Sequence, residues 1–316
     1  MPDIVTITIN PAVDIFVDVE RVEPTRKMRC SSPKRDPGGG GINVARVAYR
    51  LGGDVTAIYP AGGAIGKLLQ KLLDREGIPS IATPSHVETR ENFTAYETES
   101  GEQYRFVLPG SSLHRAEWEA CLVRLAALER KPSFVVSSGS IPPGVPDDFF
   151  AHVNREARKL GARTVVDTSS DALKAAIAGG VDIIKPNLNE LSEFTGRKLD
   201  SDAACVEACR ALIDDGRVKM VALTLGGDGA MLVTKERALK SKPVQIEVVS
   251  AVGAGDSFLG GLIWALAQGQ SEAEAFRVAV AAGTAAVMSP GTELCRKVDV
   301  DRLMPKIEIE EIRGAM

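Results

Sequence analysis

After Leu108 the chain alternates short β-branched runs with amphipathic stretches of helical length, and this rhythm restricts its architecture more than any other feature. Strands are predicted at 134–138, 164–167, 182–185 and 218–225, with helices at 115–128, 147–160, 171–178 and 203–214. Parallel strands need long crossover connections, and a helix in each crossover covers a face of the sheet. The expected fold class is therefore α/β, with a mainly parallel sheet between helical layers. Residues 230–233 and 244–249 are expected to add antiparallel edge strands. Nearer the start, 15–19, 27–32, 92–97 and 103–108 alternate apolar and polar residues and are too polar for burial on both faces. They are read as a small, exposed antiparallel flap. The expectation is one domain over 1–316 carrying a lid built from about 12–36 and 86–109.

Composition matters chiefly for what it excludes. A net charge of −4 over 316 residues disfavours nucleic acid or an anionic membrane as partner. No apolar run reaches the length of a membrane span, and no export pattern is legible at the N-terminus. The five cysteines, at 30, 121, 205, 209 and 295, form no CxxC pair. Free thiols and a cytoplasmic location are expected. His86, His114 and His152 stand apart in the sequence, so neither a zinc site nor a histidine triad is expected.

The chemistry concentrates in glycine-rich segments. Gly253, Ala254, Gly255 and Asp256 precede a helix predicted over 257–267. The unpaired amides of a helix start suit an anion, and glycine lets that anion approach the backbone. Asp256 is either a carboxylate facing an incoming hydroxyl or a helix cap. A helix start lowers the pKa of an Asp, so Asp256 is expected to be a positioned proton acceptor and not a strong base. Gly38 to Gly41 open another helix, with Asn43 one turn in and able to donate to and accept from sugar hydroxyls. Gly62 to Gly66 lacks the GxGxxG spacing, and no phosphate-binding GxxxxGK[ST] loop is present. Lys185, Asn187 and Glu190 follow a strand, where open α/β sheets bind ligands. Asn187 and Glu190 suit either a hydrated Mg²⁺ or a helix cap. Thr224 to Gly229 fits nucleotide contact or a tight turn. Arg90 and Arg105, on flap strands, fit a phosphate or plain solvation.

Taken in order, the glycine loop at 37–46, the segment 100–107 and the segment 252–257 make the chain similar to the ribokinase-like (phosphofructokinase B) family over nearly its whole length. The resemblance implies a three-layer sandwich with a β-sheet lid. It also implies transfer of the ATP γ-phosphoryl to the 1-hydroxyl of fructose 6-phosphate, giving fructose 1,6-bisphosphate. Asp256 would take the proton, and the amides of Gly253, Ala254, Gly255 and Asp256 would form the anion hole. Asp14, Gly39 and Asn43 would bind sugar hydroxyls, with Arg90 and Ser140 on the 6-phosphate. Lys27, toward ATP, and Arg29, toward substrate, would reach a neighbouring subunit's site across a lid-mediated homodimer. Lys185, Asn187, Thr224, Gly226 and Gly229 would line the ATP site, with Val280 and Thr284 near adenine. Glu190 would order Mg²⁺, and Ser250, Val252, Ala286, Ser289 and Gly291 would surround K⁺. Ser289 stands where the family usually has Asn, and Glu293 where it usually has Arg. Ligation by backbone oxygens survives such changes. Gly40 fills a slot that holds lysine in relatives acting on fructose 1-phosphate or tagatose 6-phosphate, and this favours fructose 6-phosphate. Those two sugars, a nucleoside or non-phosphorylated sugar as acceptor, and a sensor without turnover are the competing readings.

Overall fold

The computed structural model describes residues 3–289 and 291–312. In chain order its first strands are β1 (Ile4–Ile7), β2 (Ala12–Val19), β3 (Lys34–Gly38), β4 (Val55–Ala61), β5 (Ser80–Pro84), β6 (Arg90–Glu97) and β7 (Gln103–Phe106). They are followed by β8 (Phe134–Ser138), β9 (Arg163–Asp167), β10 (Val181–Ile184), β11 (Val218–Thr224), β12 (Ala230–Thr234), β13 (Ala238–Ser241) and β14 (Ile309–Glu311). The first helices are α1 (Gly40–Arg50), α2 (Gly63–Glu76), α3 (Arg115–Ala126), α4 (Phe149–Lys159) and α5 (Ser170–Ala178). The remainder are α6 (Leu188–Thr195), α7 (Asp202–Asp214), α8 (Ala254–Ala267), α9 (Glu272–Val287) and α10 (Lys297–Leu303).

Ten strands make the main sheet, in the order β14-β13-β12-β11-β10-β9-β8-β1-β4-β5. Pairing is parallel from β11 through β5 and antiparallel from β11 out to β14. Alternate residues of each strand face opposite layers. Ile4, Val136, Val165 and Ile183 meet one helical layer, which holds α1, α8 and α9. Val5, Val135, Val166 and Ile184 meet the other, which includes α4, α5 and α7. With both faces covered, the central strands are apolar almost throughout. Truncating one of these buried aliphatic side chains to alanine costs about 2–5 kcal/mol.

The second sheet runs β3-β2-β6-β7. It is mixed, whereas the sequence suggested an antiparallel flap: β2 and β6 pair in parallel from Ala12↔Arg90 to Val19↔Glu97. Both strands leave the body of the molecule from the same end, so they must run in the same direction. Its strand next to β2 is 34–38, not 27–32, because the chain must pass straight from that strand into α1. Of the earlier segment only Cys30 forms a bridge, with Val19. Residues 244–249 form no strand. The position beside β13 is taken by β14, and Val248 stays 65% exposed.

Small residues place α8. A Cβ at Gly260 would press on Val47 of α1, and one at Gly261 on Ala282 of α9. This close packing of three helices aims the N-terminus of α8 at the gap between the two sheets.

Candidate active site

The helix at the heart of the site begins three residues earlier than the sequence suggested. Gly253 is its N-cap residue, at φ 74°, and no side chain caps it. Asp256 lies inside the first turn, so it is not the cap. Gly253 has two reasons to be glycine: its φ is left-handed, and a Cβ would strike Leu294. The amides of Gly255 and Asp256 have no hydrogen-bond partner among the described residues, as expected of a helix start.

Asp256 borders a cavity of about 190 Å³ between α8, α1 and the lid. Asp14, Gly39, Gly40, Asn43, Arg90 and Arg105 line it, together with Val252 and Gly253. Register explains the lid's share. Asp14 faces Asn92 across β2 and β6, and Thr94 faces Arg105 across β6 and β7, so one face of the lid presents the polar groups. Asn92 donates to Asp14 Oδ1 at 2.7 Å, and Asn43 donates to Asp256 Oδ2 at 2.8 Å. Burial pushes the Asp14 carboxyl up against the pull of Asn92 and the nearby arginines. Arg90 donates to the carbonyls of Leu108 and, at 3.1 Å, Asn10, while its Nε is buried without a partner among the described residues.

The four glycines at 38–41 are enforced by their neighbours. A Cβ at Gly38 would overlap the Asp14 carboxylate, one at Gly40 the Ser138 hydroxyl, and one at Gly41 the Thr8 hydroxyl. Gly39 adopts φ 105°, a conformation closed to other residues. The backbone can therefore lie directly beneath the cavity.

Burial pushes the Asp256 carboxyl up to about 6, and Asp167 adds to it, while Asn43 and Lys185 oppose. This corrects the expectation of a lowered pKa: lost hydration and a second carboxylate outweigh the helix dipole. Asp167, at the end of β9, was not singled out from sequence, although a carboxylate at the C-terminal end of a parallel strand is a signal for it. It holds Lys185 Nζ at 3.1 Å. Burial alone would lower the Lys185 pKa, but Asp167 and Asp256 raise it. A Cβ at Gly255 would lie 3.4 Å from the same Nζ, which puts the ammonium beside the glycine loop.

Asn187 is the N-cap of α6. Its side chain accepts from the Glu190 amide at 2.9 Å, and Glu190 accepts from the Asn187 amide at 2.8 Å. The pair is thus a capping box. Glu190 Oε1 takes no hydrogen bond among the described residues. Burial and Asp167 raise the Glu190 pKa, an excess of negative charge that suits a divalent cation. Thr224 donates its amide to the Pro186 carbonyl at 3.1 Å, joining the exits of β10 and β11, and Gly226 and Gly229 form the turn that follows. Val280 and Thr284 lie on α9, Val280 buried.

The Ser250 hydroxyl has one proton to share between the Gly291 carbonyl at 3.0 Å and Gln103 Oε1 of the lid at 3.2 Å, and Ser289 donates its amide to the Ala286 carbonyl at 3.0 Å. The carbonyls of Ser250 and Val252 accept no hydrogen bond among the described residues. Unclaimed carbonyl oxygens of this kind fit a hard monovalent cation.

Ser140 lies apart from the Asp256 cavity. It accepts from Asn10 at 3.0 Å and lines an adjoining space of about 550 Å³ that shares Arg90. Lys27 and Arg29, in the exposed connection between β2 and β3, line neither space. The histidines are not all isolated, contrary to the sequence reading. The His86 and His114 rings stack at 3.7 Å, and Glu117 accepts from both backbone amides and from His86 Nδ1 at 2.8 Å. Burial opposes ionisation of Glu117, but the bonds from His86 and His114 hold it down to about 2. Parallel stacked rings cannot both point a nitrogen at one ion, so the cluster reads as the cap of α3. No helix among the described residues is long and apolar enough to cross a membrane.

Comparisons with known proteins bear on the family and the fold. Residues 3–298 match the model of the pfkB family carbohydrate kinases. The ATP-dependent 6-phosphofructokinase isozyme 2 of Mycobacterium tuberculosis is 43% identical over 301 residues, covering 95% of this chain and 88% of the relative. Phosphofructokinase-2 from Escherichia coli, solved in complex with potassium, superposes with a TM-score of 0.92 at 38% identity, covering 97% of this chain and 99% of that one. Its complex with fructose-6-phosphate gives a TM-score of 0.91 at 37% identity, with the same coverage. The chain belongs to the pfkB family of carbohydrate kinases.

Proposed function

We propose that this protein transfers the γ-phosphoryl group of ATP to the 1-hydroxyl of fructose 6-phosphate, giving fructose 1,6-bisphosphate and ADP. The observation that carries the reading is the placement of Asp256. A carboxylate with a pKa of about 6 sits among free helix-start amides and faces a polar cavity roofed by lid arginines. Such a carboxylate is largely ionised at neutral pH and is the stronger proton acceptor for its raised pKa. The names and ligands of the Mycobacterium tuberculosis and Escherichia coli proteins support this choice of substrate.

In this account Asp14, Gly39 and Asn43 hold sugar hydroxyls and bring the 1-hydroxyl to Asp256. Arg90 takes the 6-phosphate through its unpartnered Nε, with Ser140 alongside. The amides of Gly253 to Asp256 stabilise oxygens of the group in transit, and one such donor is worth about 3–4 kcal/mol. Phosphoryl transfer has a loose transition state, so placement and charge stabilisation carry most of the catalysis. Lys185 neutralises phosphate charge beside Gly255. Asn187, Thr224, Gly226 and Gly229 hold ATP at the exits of β10 and β11, and Val280 and Thr284 border its adenine. Glu190, with Asp167 close by, is placed to hold Mg²⁺ through water, and that ion would offset charge on the phosphates. Ser250, Val252, Ala286, Ser289 and Gly291 supply oxygens for K⁺, beside the anion hole.

The unit is a single kinase domain whose lid comprises about 12–36 and 86–109. Its outer face leaves Phe93 37% and Phe106 57% exposed, paired in register and in ring contact. We assign that face to a homodimer in which Lys27 and Arg29 approach the partner's site. Five free cysteines fit a cytoplasmic protein. ADP release measured over fructose 6-phosphate, fructose 1-phosphate and tagatose 6-phosphate, with and without K⁺, tests the reading. The highest kcat/KM is expected for fructose 6-phosphate. A preference for either other sugar, or no turnover with any of them, contradicts it.

A further inference from the structure

One buried cation lies behind the site without a part in the roles above. Arg46 of α1 is 1% exposed. Its Nε lies 3.0 and 3.1 Å from the two Glu76 oxygens, and its Nη2 lies 2.6 Å from Glu76 Oε1. Its Nη1 donates to the Pro37 carbonyl at 2.9 Å and to Asn43 Oδ1 at 3.3 Å. Asn43 then donates Nδ2 to Asp256 Oδ2 at 2.8 Å.

The chemistry of this chain runs in one direction. A guanidinium has only donors and an ionised carboxylate only acceptors, so an amide between them fits in one orientation. With Oδ1 toward Arg46, Asn43 has its NH₂ free for Asp256. The reverse orientation would set donor against donor and acceptor against acceptor. Glu76, at the end of α2, fixes the guanidinium by a bidentate contact, the most directional form of such a pair. Arg50 also holds Glu76, at 3.1 Å, yet has no hydrogen bond to Asn43 or Asp256.

We propose that Arg46, anchored by Glu76, is a positioning residue that sets the amide of Asn43 and, through it, the carboxylate of Asp256. The inference rests on the role of Asp256 as proton acceptor. It gives Arg46 a part in the rate of the chemical step beyond its part in packing.

A double-mutant cycle separates the two parts. The kcat with fructose 6-phosphate is measured for the parent, Arg46→Lys, Asp256→Asn and the double variant, with Arg50→Gln as the structural control and thermal unfolding for each. Lysine keeps the charge but cannot reach Glu76, Pro37 and Asn43 together. Arg46→Lys is expected to lower kcat about tenfold or more in the parent, since small misplacement of a reacting group is costly. In the Asp256→Asn background the same change should alter kcat by no more than about twofold. Arg50→Gln should lose thermal stability and keep its kcat. Equal losses from Arg46→Lys in both backgrounds, or an unchanged kcat in a folded Arg46→Lys protein, would overturn the proposal. If Arg46→Lys does not fold, Glu76→Gln, which loosens the guanidinium without touching Asn43, takes its place in the cycle with the same expectations. Near-normal turnover of Asp256→Asn alone would instead overturn the role of Asp256 itself.

Discussion

Asp256 stands where two opposing electrostatic effects meet. Burial and Asp167 oppose its charge, while Asn43 and Lys185 favour it, and the opposition wins. Because only the ionised form accepts a proton, kcat/KM should fall on the acid side with an apparent pKa near 6, measured as a pH–rate profile. The same shift has a cost in stability. A carboxyl raised from 3.8 to about 6 binds its proton more tightly in the folded state, so the fold loses stability as pH rises through that window. At about 1.4 kcal/mol per pKa unit this amounts to up to ~3 kcal/mol. Asp256→Asn should therefore gain stability relative to the parent between about pH 4 and pH 7.5, followed by denaturant unfolding. A constant difference would contradict the shift. Residue identities such as Asp256, Asn43 and Arg90 were legible from their neighbours in the sequence. The pKa of Asp256 was not, because Asp167 lies 89 positions away and meets it only through the fold.

Among the elements, α8 and the lid do the most for the site. The start of α8 depends on Gly253, whose φ of 74° disfavours any side chain and whose missing Cβ leaves room for Leu294. Gly253→Ala should lose about 1–2 kcal/mol from the left-handed conformation alone. Its kcat should fall about tenfold or more as the amides turn away from the phosphoryl group, read by steady-state kinetics beside thermal unfolding. Stability loss with unchanged kcat would detach the loop from catalysis. The strand–helix rhythm exposed the parallel sheet, since a strand buried on both faces and a helix buried on one leave different apolar periods. What it did not expose was pairing. Residues 244–249 have the composition of a strand, yet the place beside β13 is taken by β14, and β2 and β6 look like antiparallel flap strands yet run the same way. The N-terminus of α8 was misplaced because Ala254, Gly255 and Asp256 read as loop, whereas the left-handed Gly253 is the N-cap and the helix begins directly after it.

At the scale of the molecule, the body carries Asp256 and Lys185 and the lid carries Arg90 and Arg105, so the proposed activity depends on how the two are held together. Gln103 of β7 ties the lid to the body by donating to the Val249 carbonyl at 3.3 Å and accepting from Ser250. The outer face of the lid still leaves Phe93 and Phe106 in solvent. Phe106→Glu should give monomers in sedimentation velocity and lower the activity at low protein concentration. A dimer that survives this change would move the interface elsewhere. The central claim, that one carboxylate at the start of α8 receives the sugar's proton, is tested most directly by kcat of Asp256→Asn with fructose 6-phosphate and ATP, once its unfolding transition shows an intact fold. The account predicts a loss of at least about 10²-fold. Turnover within a few-fold of the parent would contradict it.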